Sequence, residues 1–316
     1  MTVLAPTQLT DALAALDRDP SLTVLAGGTD LMVEVNYGQR RPVDVLSLRR
    51  LAELRRWRVE PGADGVDDPA ADDGGADASV GEVVLGSATT YTTMLGPELE
   101  GLLPALAQAA RTVGSPQIRN TGTLGGNLAT GSPAGDTLPV LVAHGARVEL
   151  ASAQGRRTLA VDEFLVGPKR TALAPGELIT AVRVPLATGP SGFSKIGVRN
   201  AMVIAVANCA LVVDRRQRTV RCALGSVGPV PVRDPEAEAW AADRLDWDGA
   251  APVDPGVADE FGARIAAASR PIDDHRATAG YRRHAVGVLA RRALARAWPP
   301  PGEAGAAPSA APTEAA

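Results

Sequence analysis

Two glycine pairs constrain this chain more than any other feature of its sequence. Gly27–Gly28 and Gly125–Gly126 stand about 100 residues apart, each beside a run with strand-like character. Adjacent glycines allow positive φ and leave successive backbone N–H groups uncovered, because no Cβ lies in the way. A concave row of such amides is suited to phosphate oxygens.

Small hydrogen-bonding side chains flank both pairs. Thr29 and Asp30 follow the first pair, while Thr123 and Asn127 bracket the second. A single Gly-Gly most simply makes a tight turn. Two pairs with matching neighbours favour two opposed amide-rich loops, for which a dinucleotide diphosphate is a natural ligand.

Competing motifs are absent from the sequence. It contains no P-loop, no GxSxG elbow, and no GxGxxG fingerprint followed by a helix and a ribose-binding acid. The three histidines form no HExxH pattern, and two cysteines are too few for a cluster held by four thiolates. We therefore expect Cys209 and Cys222 to be buried thiols, and we expect no metal site. Any redox chemistry would need an organic cofactor.

Charge and composition exclude other classes of protein. The net charge of −4 argues against nucleic-acid binding, which calls for a basic surface. No run approaches the roughly 18 apolar residues of a membrane span, and the N-terminus lacks the basic start and apolar stretch of a signal peptide. We expect a cytoplasmic protein.

Residues 62–81, rich in aspartate, predict a flexible acidic loop, and 299–316 predict a disordered tail.

Hydrophobic periodicity predicts a mixture of helices and strands. Helices are predicted over 7–17, 104–112, 258–268 and 281–298. Strands are predicted over 22–26, 42–48, 57–60, 82–86, 147–151, 178–184 and 220–227. The segment 118–128 is expected to be a polar strand–loop element, 138–145 a buried element, and 193–213 two strands or a strand and a helix.

Three longer stretches together resemble the FAD-binding medium subunit of molybdenum hydroxylases, the group that includes the xanthine dehydrogenase and carbon monoxide dehydrogenase flavoproteins. They are VLAGGTDL from residue 24, QIRNTGTLGGNLATGSPAGDTLPVL from residue 117, and PIDDHRATAGYRRHAVGVLARRALARA from residue 271. The resemblance spans residues 4–298 apart from the acidic insertion.

The resemblance implies an α+β fold. A two-subdomain FAD-binding domain of the vanillyl-alcohol-oxidase type (PCMH-like) would precede a C-terminal α+β domain with an antiparallel sheet. The expected boundaries are 1–58 for an N-terminal αβ subdomain, 59–190 for a second α+β subdomain, and 191–298 for the C-terminal domain.

The resemblance also implies FAD, and we expect it to be non-covalent because neither glycine-rich loop holds a histidine or cysteine. Carried over position by position, it assigns to FAD the residues Val24, Leu25, Ala26, Gly27, Gly28, Thr29, Asp30, Leu31, Thr123, Leu124, Gly125, Gly126 and Asn127. Asp136 matches an aspartate that binds ribityl or ribose hydroxyls, while Ile179 and Lys195 match positions near the flavin ring. The sequence context alone would make Asp136 a turn or cap residue and Lys195 a surface lysine.

Two neighbouring positions are less defined. Arg119 could neutralise a diphosphate, or it could form a buried pair with a nearby acid. Val113 stands where some relatives have an aromatic side chain against the adenine, so that stacking contact is expected to be missing.

The family resemblance implies partners as well. A [2Fe–2S] small subunit and a molybdopterin large subunit would complete the complex, as a dimer of heterotrimers. This chain would take electrons from the clusters and pass them to NAD⁺, oxygen, a quinone or another carrier, while the large subunit selects the substrate. Two alternatives stay open: a stand-alone flavin oxidase or reductase of the same fold, and a scaffold subunit that has lost FAD.

Overall fold

The computed structural model describes residues 2–61, 81–249 and 251–298 of the 316-residue chain. The predicted acidic loop (apart from Gly81) and the predicted tail therefore lie outside the described residues.

The N-terminal part is a three-stranded parallel sheet in the order β1-β3-β2. Its elements are β1 (Thr2–Leu4), α1 (Leu9–Arg18), β2 (Thr23–Leu25), α2 (Leu31–Asn36) and β3 (Asp44–Ser47), followed by a 3₁₀ turn at Ala52–Arg55. Leu9, Leu13 and Leu16 recur at helical spacing, so α1 has one apolar face. That face is buried against Leu46 and Leu51, which fixes the sheet whose strand β2 leads into the first glycine pair.

The middle of the chain forms a five-stranded antiparallel sheet in the order β4-β5-β10-β6-β7, with a separate hairpin of β8 and β9. The strands are β4 (Trp57–Glu60), β5 (Glu82–Gly86), β6 (Arg147–Ser152), β7 (Gly155–Ala160), β8 (Leu165–Gly167), β9 (Arg170–Thr171) and β10 (Leu178–Pro185). Arg183 on β10 pairs with carboxylates from three other strands, Glu60, Glu82 and Glu149. These pairs tie the sheet together around its central strand.

Short helices cover this sheet. They are α3 (Tyr91–Met94), α4 (Pro97–Leu102), α5 (Pro104–Thr112), α6 (Pro116–Thr121), α7 (Leu124–Thr130), α8 (Thr137–His144) and α9 (Val161–Phe164). Together with the sheet they form the main core, in which Leu85, Leu106, Leu141 and Val182 are buried.

The C-terminal part is a three-stranded antiparallel sheet packed against helices. Its elements are β11 (Ser191–Ile196), β12 (Ala207–Asp214), β13 (Thr219–Gly225), α10 (Pro235–Ala242), α11 (Pro255–Ala268) and α12 (Ala279–Ala297). Successive side chains on a strand point to opposite faces. Accordingly Ala210 and Ala223 join the main core, whereas Cys209, Leu211 and Cys222 join a second core with α11 and α12. One sheet therefore serves two cores.

The segment before α12, which carries part of the family resemblance, acts as a structural clamp. Asp274 accepts hydrogen bonds from the Arg276 backbone N–H (2.8 Å) and from Arg282 Nη2 (2.7 Å), and the pKa of its carboxyl is lowered to about 2, mainly by these bonds. Arg282 is buried and also donates to the carbonyls of Val206 (2.7 Å) and Ser226 (3.0 Å). The clamp fastens α12 to the ends of the C-terminal sheet.

The predicted helices are confirmed to within a few residues at each end, and so are the predicted strands. The buried element at 138–145 is helix α8, and 193–213 contains the two strands β11 and β12. Several short elements had no prediction: the strands β1, β7, β8 and β9 and the helices α2, α3, α4, α9 and α10.

Candidate functional site

A cleft of about 370 Å³ lies where the N-terminal sheet meets the helices of the middle part. Thirteen of the sixteen residues predicted to bind the cofactor line it: Val24, Leu25, Ala26, Gly27, Gly28, Thr29, Asp30, Leu31, Thr123, Gly125, Gly126, Asn127 and Ile179. Both glycine pairs thus share one cleft. Leu124, Asp136 and Lys195 are not among the lining residues.

The first glycine pair forms the bend between β2 and α2. Gly28 has a φ of 75°, a conformation that residues with a Cβ rarely adopt. Among the described residues, nothing accepts a hydrogen bond from the backbone N–H groups of residues 27–31, although the α2 helix begins at once with Met32 donating to the Gly28 carbonyl. Five successive amides at the wall of the cleft are therefore available to a ligand.

Gly27 is a glycine for a different reason, which is close packing. A Cβ added there would overlap the Thr121 carbonyl oxygen and stand 2.7 Å from the carbonyl carbon. The first bend therefore lies directly on the α6–α7 connection. This contact brings the two glycine-rich segments together.

The strand–loop prediction for 118–128 is wrong, because this segment folds into helices α6 and α7. Each helix has an N-cap side chain: the Ser115 hydroxyl accepts from the Ile118 amide (3.4 Å), and the Thr123 hydroxyl accepts from the Gly126 amide (3.1 Å). The local capping and the packing of Leu124 and Leu128 into the main core outweigh the low helix propensity of the glycines.

The amides of the second glycine pair are consequently all in use. Leu124 donates to the Thr89 carbonyl (3.0 Å) and Gly125 to the Ser87 carbonyl (2.8 Å), while the Asn127 amide bonds within the helix. A Cβ on Gly125 would lie 2.6 Å from the Ser87 Cβ. The expectation that both pairs present open amides thus holds for the first bend and fails for the second segment.

Gly126 differs from Gly125 in what surrounds it. Apart from its chain neighbours and the backbone of its own helix, the only heavy atom within 4 Å of an added Cβ, among the described residues, is Thr123 Oγ1 at 2.9 Å. Gly126 also lines the cleft. Its missing side chain therefore leaves room for a ligand rather than for a neighbouring strand.

A hydrogen bond joins the two segments across the cleft. Thr130 Oγ1, at the end of α7, donates to Asp30 Oδ2 at 3.1 Å, which links positions 100 residues apart in the chain. The bond ties the first bend to the second helix.

The third wall of the cleft comes from the β8–β9 hairpin and the start of β10. Glu177 forms a bidentate ion pair with Arg157 (2.6 and 2.8 Å), which lowers the pKa of its carboxyl. The pair holds the turn before Ile179, whose buried side chain reaches the cleft. Lys169, on the hairpin turn, has a φ of 53° and also lines the cleft.

Asp136 and Lys195 form a buried ion pair beside the cleft. Lys195 Nζ on β11 lies 2.5 Å from Asp136 Oδ2, and the same oxygen accepts from Thr112 Oγ1 (3.0 Å), while Asn208 Nδ2 lies 3.3 Å from Asp136 Oδ1. Burial raises the pKa of Asp136, and the Lys195 ammonium opposes that shift. Their assignment to the cofactor stays a prediction from the resemblance.

Arg119 fits neither of its two interpretations. Its guanidinium Nη1 donates to the backbone carbonyls of Arg111 (3.3 Å), Val113 (3.1 Å) and Gly114 (3.1 Å). It therefore closes the end of α5, pairs with no acid among the described residues, and is not among the residues that line the cleft.

No candidate metal site exists within the described ranges, where no group of three histidine, cysteine, aspartate or glutamate side chains could hold an ion.

Cys209 and Cys222 are buried free thiols, as predicted, with sulfurs 3.5 Å apart. Burial lowers the pKa of His144 to about 4, so this imidazole is neutral. No helix in the described part of the chain is long and apolar enough to cross a membrane.

Sequence reasoning missed several residues of the cleft. Ser87, Tyr91, Ala129, Thr130 and Lys169 line it as well. Tyr91 and Ser87 precede the second glycine pair by more than 30 residues and carry no motif. Ser87 reaches the site because Gly125 packs against it, and Tyr91 because α3 packs beside α6.

Comparison with known proteins covers almost the whole described chain. The family described as FAD binding domain in molybdopterin dehydrogenase matches residues 1–66 and 75–187, and the family described as CO dehydrogenase flavoprotein C-terminal domain matches residues 193–297.

Individual relatives match over the same extent. The nicotine 6-hydroxylase medium subunit of Paenarthrobacter nicotinovorans is 33% identical over 299 residues, which cover 93% of this chain and 95% of that protein. The carbon monoxide dehydrogenase medium chain of Hydrogenophaga pseudoflava is 31% identical over 301 residues, covering 93% and 96%.

A solved structure supports the same fold. A chain of the Hydrogenophaga pseudoflava carbon monoxide dehydrogenase that lacks the Mo-pyranopterin moiety of its cofactor has a TM-score of 0.77 at 28% identity. The match covers 94% of this chain and 97% of that chain. The likeness confirms the predicted fold class.

Proposed function

The chain belongs to the FAD-binding medium subunits of the molybdenum hydroxylase family, and from this membership we propose that it is the electron-transfer subunit of such a complex. In this role it takes electrons from the [2Fe–2S] clusters of a partner subunit. It passes them to NAD⁺, oxygen, a quinone or another acceptor. The protein is accordingly an oxidoreductase component.

One observation carries the proposal: the row of unpaired amides at residues 27–31, in the cleft that also holds Gly126. Five N–H donors that have no partner in the described part of the chain suit the oxygens of a diphosphate. The space beside Gly126, which a Cβ would enter, suits the same group. FAD contains a diphosphate and, when bound, supplies the redox chemistry of the subunit.

The cleft residues then have distinct parts. Residues 27–31 bind the diphosphate through their backbone, and Thr29 adds a hydroxyl. Gly126 keeps the opposite wall open, and Thr123 holds the end of α7 in place. Ile179 gives an apolar contact for the flavin ring. The absence of histidine and cysteine from the described lining supports non-covalent binding.

Asp136 and Lys195 form the least direct part of the assignment. We propose that the pair adjoins the ribityl chain and the flavin ring, as the resemblance implies. A buried lysine near the ring could stabilise negative charge on a reduced flavin. The Asp136 carboxylate, whose charge Lys195 balances, would accept hydrogen bonds from the ribityl hydroxyls on the side that Lys195 does not occupy.

The names of the relatives support the proposed partners. The proteins described above are called medium subunit and medium chain, which fits a complex with small and large subunits carrying the clusters and the molybdenum cofactor. We propose the domain division 1–58, 59–190 and 191–298, and the two family matches meet between 187 and 193. A cytoplasmic location and a dimer of heterotrimers stay predictions.

The test is isolation of the native protein through an affinity tag on the full chain, followed by measurement of flavin, iron and molybdenum. Flavin together with iron-bearing and molybdenum-bearing chains is the expected result. Flavin without these chains, combined with turnover of a small molecule, would identify a stand-alone enzyme. Iron and molybdenum without flavin would identify a scaffold subunit.

A further inference from the structure

Tyr91 combines a buried ring with a place on the wall of the cleft. It begins helix α3, and its backbone N–H donates to the Gly122 carbonyl at 3.2 Å. A Cβ on Gly122 would lie 2.7 Å from the Tyr91 Cε2, so the α6–α7 connection lies on the edge of the ring. The residue is only 5% exposed, and the small accessible part belongs to a side chain that lines the cleft.

The hydroxyl of Tyr91 has no hydrogen-bond partner among the described residues. Buried tyrosine hydroxyls usually have one. The buried polar atoms that lack both a partner and solvent do not include this oxygen, so it keeps some solvent access, and the side chain that carries it lines the cleft. The Tyr91 hydroxyl is therefore a donor that is available to a ligand atom in the cleft.

Two carboxylates lie near this hydroxyl, and neither accepts from it. Asp30 is bonded to Thr130, and Asp136 is bonded to Lys195 and other donors. Burial, reinforced by the negative charges of Asp30 and Asp136, raises the pKa of the Tyr91 phenol, so the group keeps its proton. A neutral donor here can approach an anionic ligand without adding to the repulsion from the two carboxylates.

We propose that Tyr91 is a further cofactor-binding residue, whose hydroxyl donates a hydrogen bond to an oxygen of the ribityl–diphosphate chain of bound FAD. The inference rests on the proposed function, because it takes FAD as the ligand of the cleft. It adds a side-chain donor from α3 to the backbone amides of the first bend. Helix α3 would then join the other segments of the chain that hold FAD.

The experiment compares the full-length apo-protein with its Tyr91→Phe variant, which removes the hydroxyl and keeps the ring. Binding is followed by quenching of flavin fluorescence. The dissociation constant for FAD should rise about 10-fold, the effect of one hydrogen bond to a charged or strongly accepting oxygen. Tyr281→Phe is the matched control, since Tyr281 is about half exposed on α12, outside the cleft, and should leave affinity unchanged.

Two smaller probes locate the contact. ADP contains the diphosphate without the ribityl chain, and riboflavin contains the ribityl chain without phosphate. If the variant binds ADP more weakly but riboflavin normally, the contact is at the diphosphate. If it binds riboflavin more weakly but ADP normally, the contact is at the ribityl chain. Loss of FAD affinity with both probes unaffected would overturn the proposed contact.

Failure of the inference differs from failure of the proposed function. If the unaltered chain binds FAD and Tyr91→Phe binds it equally well, the Tyr91 proposal is wrong and the function stands. If the unaltered chain does not bind FAD, the function itself fails and Tyr91 with it. Affinities are compared on the folded fraction measured by near-ultraviolet circular dichroism, so a loss of stability does not imitate a loss of binding.

Discussion

The two glycine pairs have the same sequence and opposite uses. At the first bend, five amides from residue 27 onward have no partner among the described residues, and the glycines give the bend its shape. At the second, every amide from Leu124 to Asn127 is bonded, and the glycines let a helix lie against the end of β5. One segment is a ligand-binding surface, and the other is mainly the wall that faces it.

A Gly-Gly dipeptide therefore indicates close packing against a neighbouring segment more directly than it indicates a bound ligand. Gly27 approaches Thr121, and Gly125 approaches Ser87. Only Gly28 needs its unusual φ, and only Gly126 leaves space toward the cleft. The four glycines therefore differ in function within each pair as well as between the pairs.

The largest effect is expected from Gly27→Ala. The new methyl group would overlap the Thr121 carbonyl, a backbone atom that cannot rotate away. We expect a loss of stability of about 3 kcal/mol or more, together with loss of FAD, because the two segments must separate. Thermal unfolding of the apo-protein measures the first effect, and flavin content measures the second. An unchanged melting temperature would show that the two segments do not pack as described.

Gly126→Val should separate binding from folding. Apart from chain neighbours and its own helix backbone, an added Cβ meets only Thr123 Oγ1 among the described residues, and Gly126 lines the cleft. We expect FAD retention to be abolished, while the free energy of unfolding of the apo-protein changes by about 1 kcal/mol or less. The paired variant Gly125→Ala should instead destabilise the apo-protein, because its methyl group meets Ser87. Normal flavin content in Gly126→Val would remove Thr123–Asn127 from the site.

Thr123→Val tests the cap that consumes the Gly126 amide. Losing the hydroxyl should cost about 1 kcal/mol of stability, as for other N-cap threonines. FAD affinity should fall only a few-fold, because the second segment contributes little direct hydrogen bonding. Thr123→Ser, which keeps the hydroxyl, is the control for both chemical denaturation and flavin titration. A loss of affinity as large as that of Gly126→Val would mean that Thr123 itself contacts the cofactor.

The smallest effect is expected from deleting residues 64–78. The family match is interrupted at 67–74, and every described residue of the cleft lies elsewhere in the chain. Flavin content and affinity should stay as in the full chain. A flavin-free deletion variant would show that this acidic stretch takes part in binding.

The sequence predicts well what depends on local pattern. The leucine spacing of α1 reflects one buried face, and the mostly apolar run of β12 reflects a strand that is buried on both faces; helix α1 and strand β12 are both present. The helix at α7 was missed because glycine and asparagine have low helix propensity. The Ser115–Pro116 and Thr123 N-cap patterns were the available signals.

What the sequence could not predict depends on contacts between distant segments. Whether the amides of Gly27 or Gly125 are open is decided by neighbours that lie far away in the chain, such as Ser87. Tyr91 reaches the cleft only because α3 packs beside α6. The pairing of Asp136 with Lys195 likewise needs the C-terminal sheet to be in place.

The sheet of β11, β12 and β13 has a consequence for how this protein can be divided. Since its two faces complete two different cores, and Lys195 on it neutralises the buried Asp136, a chain cut near residue 190 would leave bare apolar surface on both pieces and an unpaired ion in the interior. Neither half is an autonomous module. A chimera that combines halves from two relatives would fold only if the two apolar surfaces matched and if the partner of the Asp136–Lys195 pair were kept.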